Sequence, residues 1–120
     1  MEDFIFDFEK LLVYQKSLVF INKIFGIYKK LSQDYKISVG SNLIRAGLSV
    51  ANNIAEGNGK ESKREKRRYF NISLDSAREC ISVFNVLNAQ KLIMKEEYIE
   101  LRRDGKEITS MLHSLSDSQR

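Results

Sequence analysis

The sequence predicts an all-α protein, an antiparallel up-down-up-down four-helix bundle that spans residues 1–120 as one domain. Three observations carry this expectation. The chain has 120 residues, enough for one hydrophobic core and too few for two. It holds no proline and six glycines, a poor supply for the turns of a β-sandwich. Its apolar residues recur at helical steps in four stretches, 8–31, 39–56, 63–91 and 95–115. Short connections between such stretches make neighbouring helices antiparallel.

In the first stretch Phe8, Leu11, Leu12, Leu18, Phe25 and Tyr28 form one row, and Phe20, Ile21, Ile24, Ile27 and Leu31 widen it. So broad a stripe predicts burial on more than one side, with surplus aromatics placed against another subunit. Ser32 to Lys36 breaks the period and reads as a loop. The second stretch carries Val39, Leu43, Ala46, Val50 and Ile54 beside the small residues Gly47, Ser49, Ala51 and Ala55. Small side chains let a neighbouring backbone come close. Gly57 supplies the left-handed residue that stops many helices, and Asn58-Gly59 continues the turn.

The third stretch starts at a capping box, Ser62-x-x-Glu65. Its core row is Tyr69, Phe70, Ala77, Cys80, Ile81, Phe84 and Leu87, ending on the aliphatic stem of Lys91. The fourth carries Tyr98, Leu101, Ile108, Met111, Leu112 and Leu115, near a heptad. Gly105 in its middle is expected to weaken it by about 1 kcal/mol relative to alanine.

Composition removes most chemistry. Cys80 and His113 are the only cysteine and histidine, so neither a disulfide nor a multi-cysteine metal site is expected. Ser110 stands three before His113, where a di-iron bundle needs glutamate. No catalytic residue, metal or cofactor is expected, and no small-molecule substrate. The opening Met-Glu-Asp-Phe-Ile-Phe-Asp is acidic where an export signal is basic. The longest apolar runs, such as Leu18 to Ile21, are far short of the ~20 residues that cross a bilayer. A reducing cytoplasm is the expected compartment, without membrane association.

Net charge is +4, and its distribution is uneven. Lys60 to Arg68 holds six basic and two acidic residues, which is the whole excess. Lys60, Lys63, Arg64, Lys66, Arg67 and Arg68 are therefore the candidate phosphate contacts, since clustered cations bind nucleic acid by counterion release. Tyr69 and Phe70 follow directly, either as core residues or as platforms for bases.

Arg45-Ala46-x-x-Ser49-Val50-x-x-Asn53-Ile54-Ala55-Glu56-Gly57, with Ser73 to Glu79 and Leu12 to Gln15, resembles the bundle family named after bacterial 23S rRNA intervening sequences. The resemblance covers nearly the whole chain. It departs at Asn42, where the family favours glutamine, and at Asp75-Ser76, where it favours Gly-Ser. The resemblance implies a left-handed four-helix bundle, a homo-oligomer that closes as a ring of five, and an RNA partner. Arg45, Asn53, Glu56, Ser76 and Glu79 are expected to form a polar network, with Glu56 and Glu79 competing for the Arg45 fork. Two functions fit these features. One is a non-enzymatic oligomeric protein that contacts RNA, or an RNA-containing assembly, through the basic run. The other is an accessory scaffold with protein partners only.

Overall fold

A computed structural model of the protein describes residues 2–120, which form an up-down-up-down four-helix bundle. Its long helices are α1 (Leu12–Lys30), α2 (Ser41–Asn58), α3 (Lys63–Ala89) and α4 (Lys95–Asp117). Each helix packs on the next and α4 returns to α1, with the α2–α3 and α3–α4 seams the most extensive. Two short 3₁₀ turns, Glu2–Phe4 and Asp7–Lys10, precede α1. The second is tied to the end of α2 by Asn58 Nδ2 donating to Asp7 Oδ2 at 2.7 Å. No helix among the described residues is long and apolar enough to cross a membrane.

The core sits where the four faces meet. Phe20, Ile24, Leu43, Val50, Ile54, Phe70, Phe84, Leu87, Ile108 and Leu112 lose almost all contact with water. For α1 the two rows exchange roles. Val13, Phe20, Ile21, Ile24 and Ile27 are inside, whereas Leu12, Leu18 and Phe25 lie exposed. A stripe this broad holds two candidate faces, and only the neighbouring helices select between them.

The connections correct three local expectations. Ser32 to Lys36 is not a loop: Gln33–Tyr35 is a helical turn that runs through a π-helical turn, Lys36–Gly40, into α2. The wide turn absorbs the register change that the broken period signalled. Gly57 does not stop α2; it is helical and buried. A Cβ there would lie 2.9 Å from Phe70 Cε1 and from Tyr69 Cβ, so the position is glycine for close approach. Gly105 serves the α3–α4 seam in the same way, its absent Cβ falling 2.5 Å from Ile81 Cδ1. Its propensity cost is offset by packing that alanine would obstruct.

The left-handed residue is Lys91, with φ 58°. Lys91 is exposed rather than part of the core row. The Leu92 N–H donates to the Leu87 carbonyl at 2.8 Å and the Lys91 N–H to that of Asn88 at 3.1 Å. This is a Schellman ending that normally carries glycine. Lys91→Gly is expected to raise the unfolding free energy by about 1 kcal/mol. Urea denaturation of the two proteins checks it, and an unchanged or lower midpoint refutes it.

Lysines on α1 and carboxylates on α4 close the fourth seam. Lys16 pairs with Glu107, Lys23 with Asp104 at 2.6 Å and with Glu100 at 2.7 Å, and Lys30 with Glu97 at 3.0 Å. The hydrogen bond to Asp104, then that to Glu100, holds the Lys23 ammonium above its usual range. The same contact holds Glu100 below the usual carboxylate range. For Lys23 the stabilisation is complete below its ordinary 10.5 and fades as pH rises through the higher folded value. For Glu100 it is complete above the ordinary 4.5 and fades as pH falls through the lower folded value. Lys23→Met is expected to flatten both limbs of the stability profile; limbs as steep as in the unmodified protein would contradict the pairing.

Candidate functional site

The antiparallel order puts the start of α3 at the same end of the bundle as the ends of α2 and α4. There the Ser62 hydroxyl accepts from the Glu65 N–H at 3.1 Å and starts α3. The Glu65 carboxylate does not reach back to complete the box; it pairs with Arg68 at 3.5 Å.

The six cations of the run divide into two groups. Lys60 lies 3.8 Å from Glu56 and 5.1 Å from the Tyr69 ring centre, and Arg68 covers the same ring at 5.2 Å. Lys66 Nζ donates to the Asn58 carbonyl at 2.8 Å and so caps α2. Those three are engaged within the protein. Lys63, Arg64 and Arg67 have no carboxylate partner among the described residues; Lys63 and Arg64 are exposed and Arg67 is half-buried. A shallow basin of about 360 Å³ lies between Arg64, Arg67, Arg68, Asn71 and, from the far end of the chain, Arg120. Arg120, held by Asp117 at 3.3 Å, is a member that sequence position hides. Tyr69 is masked by its own cations and Phe70 is in the core, so neither presents a free face to a base.

The polar set forms only in part. Ser49 Oγ and Ser76 Oγ are 2.8 Å apart across the α2–α3 seam, and Asn53 Nδ2 donates to the Ser49 hydroxyl at 3.0 Å and to its carbonyl at 2.8 Å. Deeper in the same seam Ser73 Oγ donates to the Val50 carbonyl at 2.7 Å. Arg45, Glu56 and Glu79 do not join them. Arg45 is exposed and donates to Asn42 Oδ1 at 2.6 Å, while Glu56 turns to Lys60. Among the described residues no carboxylate reaches Arg45, which stays exposed while Ser49, one turn further along the same row, turns to α3. Arg45 borders instead a groove of about 670 Å³ between α1 and α2, walled by Phe25, Tyr28, Ile44 and Leu48. Sequence spacing placed Arg45 on the right helix face but gave no sign of what that face meets.

Cys80 is buried, and desolvation, helped by the charge of Glu79, pushes its thiol up to about 12. It stays protonated at neutral pH and packs as a small apolar residue. His113 is exposed on α4. Among the described residues no cluster of histidine, cysteine and carboxylate side chains is placed to hold a metal ion.

The family model of 23S rRNA-intervening sequence proteins matches residues 9–114. The chain belongs to that family. It is also similar to a crystallised protein of unknown function from the S23 ribosomal protein family of Bacteroides thetaiotaomicron VPI-5482, with 29% identity and a TM-score of 0.82. That similarity covers 88% of this chain and 96% of the other. No curated protein matches the sequence.

In this chain the Arg45–Gly57 string serves mainly to join α2 to its neighbours. Ala46, Val50, Ile54 and Gly57 are buried, and Ser49 and Asn53 hydrogen-bond within and across the seam. Arg45, Leu48, Asn52 and Glu56 are the residues of the string left facing water.

Proposed function

We propose that this protein is a non-enzymatic, oligomeric binding protein that contacts structured RNA, or an RNA-containing assembly, at the basic end of the bundle. The observation that carries this reading is that Lys63, Arg64 and Arg67 project at that end without carboxylate partners among the described residues. Cations in the first turns of a helix oppose its dipole, so stability alone does not account for them. Phosphate does, through release of its condensed counterions. The contact reads charge and shape, since Tyr69 and Phe70 beside it present no free face to a base.

Self-association is supported by a separate observation. Leu12, Leu18, Val19, Phe25 and Leu48 stay exposed along α1 and the adjoining groove, an apolar surface of the kind monomers rarely leave open. A ring of five copies would repeat the basic end and multiply a weak phosphate contact.

The test is fluorescence anisotropy with a 5′-labelled RNA hairpin, together with light scattering on the same sample. Binding at 50 mM salt is expected, weakening in a log–log plot by about 0.7 to 0.9 per phosphate contact. Arg64→Glu/Arg67→Glu is expected to abolish it with helicity intact. A species larger than a monomer is expected at micromolar concentration. Absence of RNA binding at 50 mM salt, by an intact oligomer, would instead favour the accessory-scaffold function.

A further inference from the structure

Four of the six carboxylates of α4 are spent on one side of the helix. Glu97, Glu100, Asp104 and Glu107 all face α1 and pair with Lys30, Lys23 and Lys16. On the other side of α4, toward α3, Arg102 and Lys106 are exposed and have no carboxylate partner among the described residues. Arg78 of α3 joins them across a surface pocket of about 370 Å³, which also contains Ser82, Asn85 and Thr109. Arg102 lies 5.6 Å from the Tyr98 ring centre, and its Nη1 at 2.9 Å and the Tyr98 hydroxyl at 2.8 Å both donate to Oδ1 of Asn85. Its oxygen is therefore occupied, and the pocket is left with donors and hydroxyls. Three cations, polar neighbours and no ion pair formed with them among the described residues are the chemistry of an anion site.

Position relates this pocket to the basic end. Arg64, Arg67, Asn71, Arg78, Ser82 and Asn85 descend α3 at three-, four- and seven-residue steps, one face of the helix. Arg67 and Arg78 are eleven residues apart, a rise of about 16 Å. Asp75 stands between them on the same row and is exposed, so the row has two separate cationic stations.

We infer that the Arg78–Arg102–Lys106 pocket is a second phosphodiester-binding station, and that the α3–α4 groove carries one RNA backbone from the basic end down the side of the bundle. The inference rests on the RNA reading above and extends it to residues outside the basic run. Phosphate oxygens are met by the Arg78 and Arg102 forks and by the Lys106 ammonium, with Ser82 and Thr109 hydroxyls at the margin. The station selects a polyanion and no base sequence.

The experiment uses the full chain and the same labelled RNA hairpin across a salt titration. Three free cations at the basic end alone give a log–log slope of about −2 to −3, whereas six along the groove give about −4 to −5. Arg102→Gln/Lys106→Gln changes exposed side chains only. It is expected to make the slope shallower by about 1.5 to 2 and to weaken binding at 50 mM salt several-fold. Asp75→Asn removes the carboxylate between the stations and is expected to tighten binding several-fold. A double variant with the unmodified slope, or Asp75→Asn without a gain, overturns the second station while the basic end keeps its RNA. If the unmodified protein binds no RNA at all, the second station falls together with the reading beneath it.

Discussion

Phe84→Ala is expected to lower the unfolding free energy by about 3–5 kcal/mol. Phe84 is wholly buried in α3. It meets Phe20 of α1 edge to face, ring centres 5.8 Å apart at 80°. These two rings cross the middle of the bundle, where helices of all four elements supply buried neighbours. Truncation removes apolar transfer energy, leaves a cavity, and deletes an aromatic pair worth a further ~0.5–1.5 kcal/mol. Domains of this size are stable by about 5–15 kcal/mol, so the variant stands close to unfolding at ordinary temperature. Phe84→Leu keeps most of the volume and is expected to cost less than half as much. Equilibrium urea unfolding followed by circular dichroism measures both. Equal losses for Ala and Leu would show that ring geometry, rather than filled volume, dominates the site.

Gly57→Val is expected to cost about 1–3 kcal/mol, despite placing a better helix former in α2. The residue has ordinary helical geometry, with no positive-φ glycine present among the described residues. Backbone freedom is therefore not what glycine supplies here. A Cβ would fall 2.9 Å from Tyr69 Cβ, an atom one bond from the α3 main chain. It cannot swing aside, so α2 and α3 must separate. The Ser73–Val50 and Ser49–Ser76 bonds cross the same seam and are strained with it. Gly26 provides the comparison: nothing lies within 4 Å of its missing Cβ. Gly26→Ala is expected to stabilise α1 by up to ~1 kcal/mol. Opposite signs for the two glycines in thermal denaturation support contact as the cause; destabilisation of similar size at both refutes it.

These glycines also show where local sequence information stops. An apolar row at helical spacing is written within one segment. Leu43, Ala46, Val50 and Ile54 could be picked out as the inner face of α2 because each is defined by its neighbours three and four residues away. The start of α3 at Ser62 is legible for the same reason. The two rows of α1 could not be ranked this way, since both satisfy the period, and burial fell to Phe20, Ile24 and Ile27. Gly57 and Gly105 look like a stop and a defect in one dimension. Both are contact points once a second helix is laid against them.

The charge distribution divides along the same line. Chain order alone located an excess of four positive charges between Lys60 and Arg68 and balanced the remainder. Within that run it could not separate the engaged Lys60, Lys66 and Arg68 from the open Lys63, Arg64 and Arg67. Outside it, the balance concealed a sorting: α4 carboxylates turn to α1 lysines, and Arg102 and Lys106 turn to Arg78. Lys23 and Asp104 are 81 residues apart. Helix identity, caps and inner faces were therefore set by sequence itself, because backbone hydrogen bonds and period are local. Lys60 and Arg68 are engaged by carboxylates within four residues, but which α1 and α4 charges pair was decided by the tertiary structure, because ion pairing acts over a few ångströms in space whatever the separation along the chain.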